Sequence, residues 1–403
     1  MRRFSLAAAC FVLLAAPAAA DTLVVPSEPY PTLQAAVDAA IPGDTIVLQA
    51  GVYPAGADIV RKNDLRILGK GGPEIDGGGS GNGIDITNCD GIEISGITLR
   101  NLNNGIYVFE STDVRVSRVN LIDVNYEAFG INGCQGVLLS RCTFTSIGGK
   151  GVEDDGSTGL VLDRCLFAGC LEGAVVLSPL AEAGSGSEGA RVTRCGINGP
   201  SPAIRAGGAG MVIDRNRFTV SGGPAIDLAT VIGGPEAVIT RNILAMTGTD
   251  TSADITGSGM VFSRNRITGG GVVEGGQGNT LERNVVTGGD FGIAVNGTGA
   301  VLRGNRVSDL AGNGLDIGSS GHTIEKNVVT GCGNGGIVLQ ATGCTLTGNR
   351  AADAPYGFLL IYGGNTLSKN RVSGTTTYDL WDQQVGGTNT YGTNAFRTTL
   401  FGD

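Results

Sequence analysis

The sequence predicts an all-β protein, a right-handed parallel β-helix solenoid of about 13 coils with three short strands per coil and a short N-terminal capping helix. Three observations lead to this fold class. One motif recurs along the chain: an aliphatic residue, two polar residues, an Asn and another aliphatic residue, as in VFSRNRITGG at 261–270. Glycine is abundant, with 69 residues, while the hydrophobic fraction of 41% is ordinary, which indicates a turn-rich folded chain. The repeats are also too short to hold a helix.

The first 20 residues, MRRFSLAAACFVLLAAPAAA, are typical of a secretory signal peptide that is cleaved after Ala20. The apolar run is too short to span a bilayer, and no later segment has the length required. We therefore expect a secreted or periplasmic protein with no membrane span. Because the signal carries Arg2 and Arg3, its removal takes the net charge from −9 to −11.

Residues 21–90 are predicted to form an N-terminal cap and the first coils. In YPTLQAAVDAAIPGD, the apolar residues Leu33, Ala36, Val37 and Ala40 fall at helical spacing, and Pro-Gly-Asp ends the pattern. This predicts a helix over about 32–40. Such a helix would cover the strand edges at the open end of the rod.

Residues 91–384 are predicted to form the repeats. Thirteen aligned positions are spaced by 19 to 30 residues, mostly 21 to 23. They are Ile97, Val119, Cys142, Cys165, Cys195, Asn216, Asn242, Asn265, Asn284, Asn305, Asn327, Asn349 and Asn370. A three-strand unit of this length cannot bury its apolar face alone, so it must stack on its neighbours. At roughly 4.8 Å per coil, thirteen coils make a rod of about 60 Å. Residues 385–403 are predicted to be a C-terminal cap or tail.

The Asn positions are predicted to mark a sharp bend between the second and third strands, where a left-handed residue is needed and Asn is tolerated. Stacked Asn amides could hydrogen-bond from coil to coil. Cys142, Cys165 and Cys195 occupy the same column, and we interpret them as small buried residues. Export to an oxidising compartment leaves a disulfide between adjacent members open as an alternative.

The cap TLQAAVDAAIPGDTIVLQAGVY, the following LRILGKGGPEIDGGG and the coil repeats resemble the pectin-lyase-like right-handed parallel β-helix superfamily. The resemblance covers nearly the whole chain after the signal. The resemblance implies the fold. It also implies one of several activities, and the fold alone does not show which. The superfamily includes pectate and alginate lyases, polygalacturonases, pectin methylesterases, uronan epimerases and periplasmic copper-maturation proteins.

The catalytic signatures of several relatives are missing from this sequence, among them the Asp-rich polygalacturonase set with its His and the epimerase DPHD motif. The only histidine, His322, aligns with Ala300 and Cys344 of neighbouring coils, so we interpret it as a packed structural residue. Copper handling would require His or Met clusters, and this composition disfavours it. Neutral-sugar enzymes usually offer stacked aromatic residues, whereas Trp381 is the only tryptophan.

A first candidate site consists of Arg205, Asp227 and Asp254, which the repeat alignment places facing outward on three successive coils. Two close carboxylates can divide acid and base roles or bind a cation, while an Arg orients a uronate group. These three residues are therefore candidate catalytic residues. The alternative is a solvated face carrying an ordinary ion pair.

A second candidate lies in GGKGVEDDGSTG, residues 148–159. Lys150 and Glu153 are candidate catalytic residues, and Asp154 and Asp155 are candidate ligands of Ca²⁺. Lysine, carboxylates and calcium would suit β-elimination on a uronan, the lyase reaction of the family that the chain resembles. The alignment points Asp154 into the core, which indicates either a bulge or a group with a perturbed pKa. A simple polar turn remains the alternative.

An arginine precedes the aligned position on eight consecutive coils. These arginines are Arg118, Arg141, Arg164, Arg194, Arg215, Arg241, Arg264 and Arg283, and Lys326 and Lys369 continue the pattern after Gly304 and Gly348. In a β-helix they would form a stripe with a step of roughly 5 Å. The stripe could bind a linear polyanion as substrate, or it could be a solvated edge whose side-chain stems pack on the coils.

Two hypotheses follow for a protein expected to be a monomer. The first is an exported enzyme that acts on a uronate-rich polysaccharide, with lyase-type cleavage. The second is a non-catalytic β-helix that binds or scaffolds envelope or extracellular glycans. The acidic composition argues against general nucleic-acid binding.

Overall fold

The computed structural model describes residues 19–54, 56–178, 187–228, 237–248 and 251–402. The predicted signal peptide lies outside these residues except for Ala19 and Ala20. The described residues confirm a parallel β-solenoid with three sheets and about 16 coils, more than the thirteen predicted. The difference comes from coils before Ile97, where the Asn motif is missing, and from one further coil after Asn370. At roughly 4.8 Å per coil the rod is about 75 Å long.

Every strand in the described residues pairs in parallel with the equivalent strand of the next coil, and three sheets result. Sheet I consists of Thr22–Val25, Thr45–Gln49, Arg66–Lys70, Glu93–Ser95, Arg115–Ser117, Leu138–Ser140, Val161–Asp163, Arg191–Thr193, Val212–Asp214, Val238–Thr240, Val261–Ser263, Thr280–Glu282, Val301–Arg303, Thr323–Glu325, Thr345–Thr347, Thr366–Ser368 and Thr390–Tyr391. Sheet II consists of Val52–Tyr53, Glu74–Gly81, Thr98–Leu102, Asn120–Val124, Thr143–Ile147, Leu166–Cys170, Gly196–Pro200, Arg217–Ser221, Ile243–Met246, Arg266–Thr268, Val285–Thr287, Arg306–Leu310, Val328–Cys332, Arg350–Ala352 and Arg371–Ser373. Sheet III consists of Ala57–Val60, Ile84–Thr87, Ile106–Phe109, Phe129–Asn132, Val152–Asp155, Val175–Leu177, Ile204–Ala206, Ile226–Leu228, Thr251–Ile255, Gly271–Glu274, Ile293–Val295, Leu315–Ser320, Gly335–Thr342, Tyr356–Tyr362, Tyr378–Val385 and Thr399–Phe401.

The capping helix spans Leu33–Ala39 and agrees with the prediction. Thr32 is its N-cap, and the Thr32 hydroxyl accepts a hydrogen bond from the Ala35 N–H at 3.1 Å. The apolar face of the helix is buried against the first strands. The helix therefore covers the N-terminal end of the rod, and the core runs along the axis as stacked apolar side chains, mostly aliphatic with phenylalanines such as Phe144 and Phe167 among them.

The corner between sheet I and sheet II corrects one expectation. The left-handed residue is the one before the Asn and not the Asn itself. Arg215 has φ 56°, Gly304 has φ 62° and Lys326 has φ 55°, and the other members of that column are alike. The Asn side chain must point inward to serve the coil interior, so the preceding residue makes the turn and projects its own side chain into solvent.

The Asn column forms the predicted coil-to-coil ladder. The Asn216 side-chain amide donates to the side-chain oxygen of Asn242 at 3.1 Å, and the Asn216 backbone N–H donates to the same oxygen at 2.9 Å. A second hydrogen of the amide reaches the Val192 carbonyl at 2.8 Å. The ladder continues through each Asn of the column to Asn394, one coil beyond the predicted repeats. It satisfies polar groups that the core would otherwise leave unpaired.

The cysteines and the histidine are structural. All eight cysteines of the described residues are free and buried, and burial raises the pKa of the Cys170 thiol to about 12. Cys142, Cys165 and Cys195 stack at the corner as interpreted. His322 is 1% exposed, and its Nδ1 accepts from the Ala300 N–H at 3.1 Å while its Nε2 lies 2.8 Å from the Gly318 carbonyl. Burial lowers the pKa of His322, which is therefore a neutral ring that links two coils.

Candidate functional site

The corner between sheets I and II carries a column of basic side chains, which we call the first column. It contains the eight predicted arginines together with Lys326 and Lys369, and all ten side chains are exposed. A left-handed conformation costs roughly 1–2 kcal/mol for a residue with a Cβ, and glycine avoids this cost. Backbone geometry would thus favour Gly or Asn at these positions. The turn therefore does not explain why Arg recurs at these positions, and the reason must lie in the arginine side chain.

A second column of arginines lies beside the first, at the position directly after the ladder Asn. Its members are Arg217, Arg266, Arg306, Arg350 and Arg371, and all are exposed. The strand register places them in one column of sheet II, in which Ile243, Val285 and Val328 alternate with them. These residues are not among the candidates predicted from the sequence. The dipeptide Asn-Arg in NRF, NRI, NRV and NRA was the available signal. Together the two columns form the basic corner.

Carboxylates neutralise the middle of the basic corner. Arg241 holds Asp214 through two hydrogen bonds of 2.7 and 2.8 Å, and Arg215 lies 3.3 Å from the same carboxylate. Arg194 donates to Asp163 at 2.7 Å, and Arg164 lies 3.8 Å from Asp163. Four arginines therefore share two carboxylates. We call Arg164, Arg194, Arg215 and Arg241 the compensated segment.

The C-terminal half of the basic corner differs. Eight exposed side chains there form no ion pair and no side-chain hydrogen bond within the described residues. They are Arg264, Arg266, Arg283, Arg306, Lys326, Arg350, Lys369 and Arg371, which we call the open strip. Two carboxylates lie in the adjoining column, Glu282 and Glu325, and Glu325 is paired with Arg303 at 3.0 Å. The open strip spans six coils, about 24 Å at the strand spacing, and concentrates positive charge on a chain of net charge −9.

Sheet III holds the first catalytic candidates in register, Arg205 opposite Asp227 and Asp227 opposite Asp254. Arg205 Nε lies 3.4 Å from Asp227 Oδ2. Burial, and secondarily the charge of Asp227, raises the pKa of Asp254, whose Oδ1 is shielded from solvent and has no hydrogen-bond partner among the described residues. The row therefore contains two different carboxyl groups. Asp227 is ion-paired with Arg205, and Asp254 holds its proton more tightly than an ordinary Asp.

The second candidate set is divided by the sheet. Lys150 and Glu153 form an ion pair on the outer face. Asp154 occupies a regular strand position opposite Ile131 and is fully buried, so the bulge alternative is excluded, while Asp155 is exposed on the opposite face. Burial raises the pKa of Asp154 more than the nearby Ser hydroxyls lower it, and neither carboxyl oxygen has a hydrogen bond of ordinary geometry in the described part of the chain.

The predicted calcium ligands do not fit a shared ion. Asp154 and Asp155 point to opposite faces of one strand, whereas Ca²⁺ takes six to eight oxygens arranged around it. Over the residues that the structure describes, no group of three or more His, Cys, Asp or Glu side chains could hold a metal ion. Asp154 and Asp155 therefore offer no shared binding site for Ca²⁺.

Comparison with protein families shows which family the chain belongs to. The family described as "Right handed beta helix region" matches residues 82–198, 180–372 and 291–397. The chain belongs to the right-handed β-helix family. The match confirms the fold that the coil repeats and the cap predicted. A comparison with curated protein sequences found no match.

Solved structures similar to this right-handed β-helix protein are distant. PfbA, a surface adhesin of Streptococcus pneumoniae, is 12% identical with a TM-score of 0.45, over 85% of this chain and 86% of that one. The catalytic domain of a GH87 α-1,3-glucanase is 11% identical with a TM-score of 0.46, over 94% and 69%. A PL6 alginate lyase in complex with trisaccharide is 13% identical with a TM-score of 0.42, over 89% and 86%. Similarity this distant assigns no activity to the chain.

Within the described ranges, no helix has the length and apolar character needed to cross a bilayer. Secretion stays a prediction that depends on the signal peptide.

Proposed function

We propose that the protein is an exported β-helix that binds a linear acidic polysaccharide along the open strip. The observation that carries the proposal is the run of eight exposed cations on six consecutive coils that form no ion pair with any described residue. Guanidinium groups recognise carboxylate and sulfate oxygens through paired hydrogen bonds. The strip supplies a guanidinium on five of its six coils and the Lys326 ammonium on the sixth, in a line parallel to the rod axis.

The shape of the strip suits a polymer better than a small anion. The coils repeat every 4.8 Å or so, and an extended 1,4-linked polysaccharide advances by a similar distance per sugar ring. A uronate or sulfated chain lying along the axis therefore meets one or two cations per ring. The two columns are separated only by the ladder Asn, so a single chain can contact both.

The surroundings of the strip favour a polysaccharide over a nucleic acid. Proteins that bind single-stranded nucleic acid add aromatic side chains on which bases stack. The columns of the open strip contain no aromatic residue. Two residues before the adjoining column, sheet I presents the hydroxyl groups of Thr280, Thr323, Thr345 and Thr366. Hydroxyls and guanidiniums together match the hydroxyls and carboxylates of a uronan.

The test measures the affinity for a polygalacturonate oligosaccharide of defined length by calorimetry at low salt. Arg264→Gly with Arg283→Gly removes two cations from the strip. Arg118→Gly with Arg141→Gly is the matched control, because it makes the same change in the same column, at the same left-handed geometry and at unpaired residues. We expect the strip variant to bind about tenfold more weakly, at roughly 0.7 kcal/mol for each exposed contact, and the control to bind like wild type. Equal losses in both variants, or no wild-type binding, would refute the proposal.

A second candidate function, cleavage of a uronan, rests on the row of Arg205, Asp227 and Asp254. A lyase needs a base that removes a proton beside the uronate carboxylate and an acid at the leaving oxygen. Asp254, with its raised pKa, suits the acid, and Asp227 suits the base. The Arg205 guanidinium is already shared with Asp227, and Lys150 with Glu153, so substrate would have to displace an ion pair. For this reason binding is the better supported function.

The cleavage proposal is tested by following absorbance from new unsaturated uronates with pectate, alginate and glycosaminoglycans, each with and without calcium. Activity that is lost in Asp254→Asn and Asp227→Asn but kept in Lys150→Ala would assign the reaction to the first row. Loss in Lys150→Ala and Glu153→Gln alone would assign it to the second set. No new absorbance on any polymer would leave binding as the function.

A further inference from the structure

A cavity of about 270 Å³ opens on the outer face of sheet III near the N-terminal end of the rod. Its walls include Asp85, Tyr107 and Gly130, from three consecutive coils, and the residues at the bend before each strand, Asn82, Asn104 and Glu127. It is well separated along the chain from the open strip, which begins at Arg264. None of these residues belongs to the basic corner.

Tyr107 shapes the cavity through its contact with Gly130. The register places Gly130 directly opposite Tyr107 on the next coil. A Cβ at Gly130 would lie 2.6 Å from Tyr107 Cδ2, a distance that real side chains do not show. Only glycine therefore lets the ring lie over that strand. The ring stays 40% exposed and forms a platform at the mouth of the cavity.

Polar side chains line the cavity around the ring. Within the described residues the side chains of Asn82, Asp85, Asn104, Tyr107 and Glu127 form no hydrogen bond and no ion pair. The Asn104 side-chain oxygen is also shielded from solvent, and such buried polar atoms are ordinarily paired. Burial, together with the charge of Asp58, raises the pKa of Asp85. The cavity is thus lined with unsatisfied acceptors beside an aromatic face.

We propose that this cavity binds one neutral sugar ring, with Tyr107 against the apolar face of the ring and the acceptors on its hydroxyl groups. Asp85 and Glu127 need donors, which adjacent hydroxyls of a hexopyranose supply. The carboxylates repel a uronate or a sulfate, so the ligand differs from the polyanion of the open strip. A cavity of this size lies just below the roughly 300–1,000 Å³ of drug-sized sites and suits a single ring.

The test is a titration of the whole protein with methyl glycosides of glucose, mannose, galactose and N-acetylglucosamine, followed by saturation-transfer NMR. We expect saturable binding of at least one glycoside in the millimolar range. Tyr107→Ala should weaken it at least tenfold, and Gly130→Ala should do the same by displacing the ring. Tyr362→Ala is the matched control, because Tyr362 is also 40% exposed and lies on sheet III.

Circular dichroism of each variant shows whether its fold is intact, and Tyr107→Ala remains informative should Gly130→Ala fail to fold. The proposal is overturned when none of the four glycosides saturates the protein, or when binding persists in a folded Tyr107→Ala variant. It does not depend on the open strip. Loss of polygalacturonate binding in the Arg264→Gly, Arg283→Gly variant should leave glycoside binding unchanged.

Discussion

Arg241 reaches back one coil to hold the Asp214 carboxylate through two parallel hydrogen bonds of 2.7 and 2.8 Å, and Asp214 is only 7% exposed. Bidentate pairs of this kind fix a guanidinium in direction as well as in place. Arg241 is therefore occupied, although it belongs to the same column as Arg264. This contact separates the compensated segment of the basic corner from the open strip.

Removing the carboxylate should extend the strip. In Asp214→Asn the charges of Arg215 and Arg241 are no longer neutralised, so we expect polygalacturonate to bind several-fold more tightly. The free energy of unfolding should fall by about 1 kcal/mol, because the Arg241 side chain is 42% exposed and water screens the pair although Asp214 is buried. Calorimetry and urea denaturation measure the two effects. Unchanged affinity would show that the compensated segment takes no part in binding even when its arginines are freed.

Glycine should stabilise the first column. Arg264 has φ 55°, a conformation that penalises any Cβ, and Gly304 and Gly348 occupy equivalent positions in the same column. Arg264→Gly should raise the free energy of unfolding relative to Arg264→Ala by about 0.5–1 kcal/mol. Urea denaturation of the two variants compares them without a difference in charge. An alanine variant as stable as the glycine variant would argue against backbone strain at this position.

The Asn ladder should be the polar feature most sensitive to truncation. Asn284 accepts from the Asn265 backbone N–H at 3.0 Å and donates to the Phe262 carbonyl at 2.9 Å. Asn284→Ala would leave these buried groups unpaired, at about 1–3 kcal/mol each. Thermal and urea unfolding should show a large loss, whereas Asn334→Ala on the exposed surface should show little. A small loss at Asn284 would mean that water replaces the amide.

The buried carboxyl of Asp154 should make stability depend on pH. Its raised pKa means that the folded state keeps the proton to higher pH than the unfolded state. The stability it contributes is therefore present below the unfolded pKa, near 4, and is lost as pH rises through the folded pKa. Asp154→Asn should unfold at higher urea than wild type at pH 7, and the difference should shrink toward pH 4. Asp155→Asn, on the exposed face, should behave like wild type at both pH values.

The fold was predictable because the coil repeats and the helical cap are local patterns in the sequence. The spacing of the Asn motif predicted that equivalent strands stack from coil to coil, and it placed Arg205, Asp227 and Asp254 in register. The coil number was too low because the aligned series ran only from Ile97 to Asn370, whereas residues 21–90 and the segment after Asn370 add further coils.

Side-chain pairing at the corner was not predictable from spacing. The sequence places Asp163 and Asp214 beside the stripe, where they can offset part of its charge, but it does not show that they pair with Arg164, Arg215 and Arg241. The pairing depends on whether a guanidinium extends toward the preceding coil or toward its own, and the spacing of the sequence does not specify this direction. The left-handed turn was assigned to the Asn because Asn tolerates it. The ladder, however, requires the Asn side-chain amide to point into the coil, so the residue before the Asn adopts the left-handed conformation.

The central claim, that the open strip binds a linear polyanion, is tested most directly by the salt dependence of polygalacturonate affinity. Contacts with a polyanion release counterions, and each contact contributes about 0.7 to the slope of log K against log salt for single-stranded nucleic acids. Replacing Arg264, Arg283, Lys326 and Lys369 together by Gly removes four contacts. We predict a steep negative slope for wild type and a slope shallower by about 3 for this variant. Equal slopes in the two proteins, or affinity independent of salt, would contradict the claim.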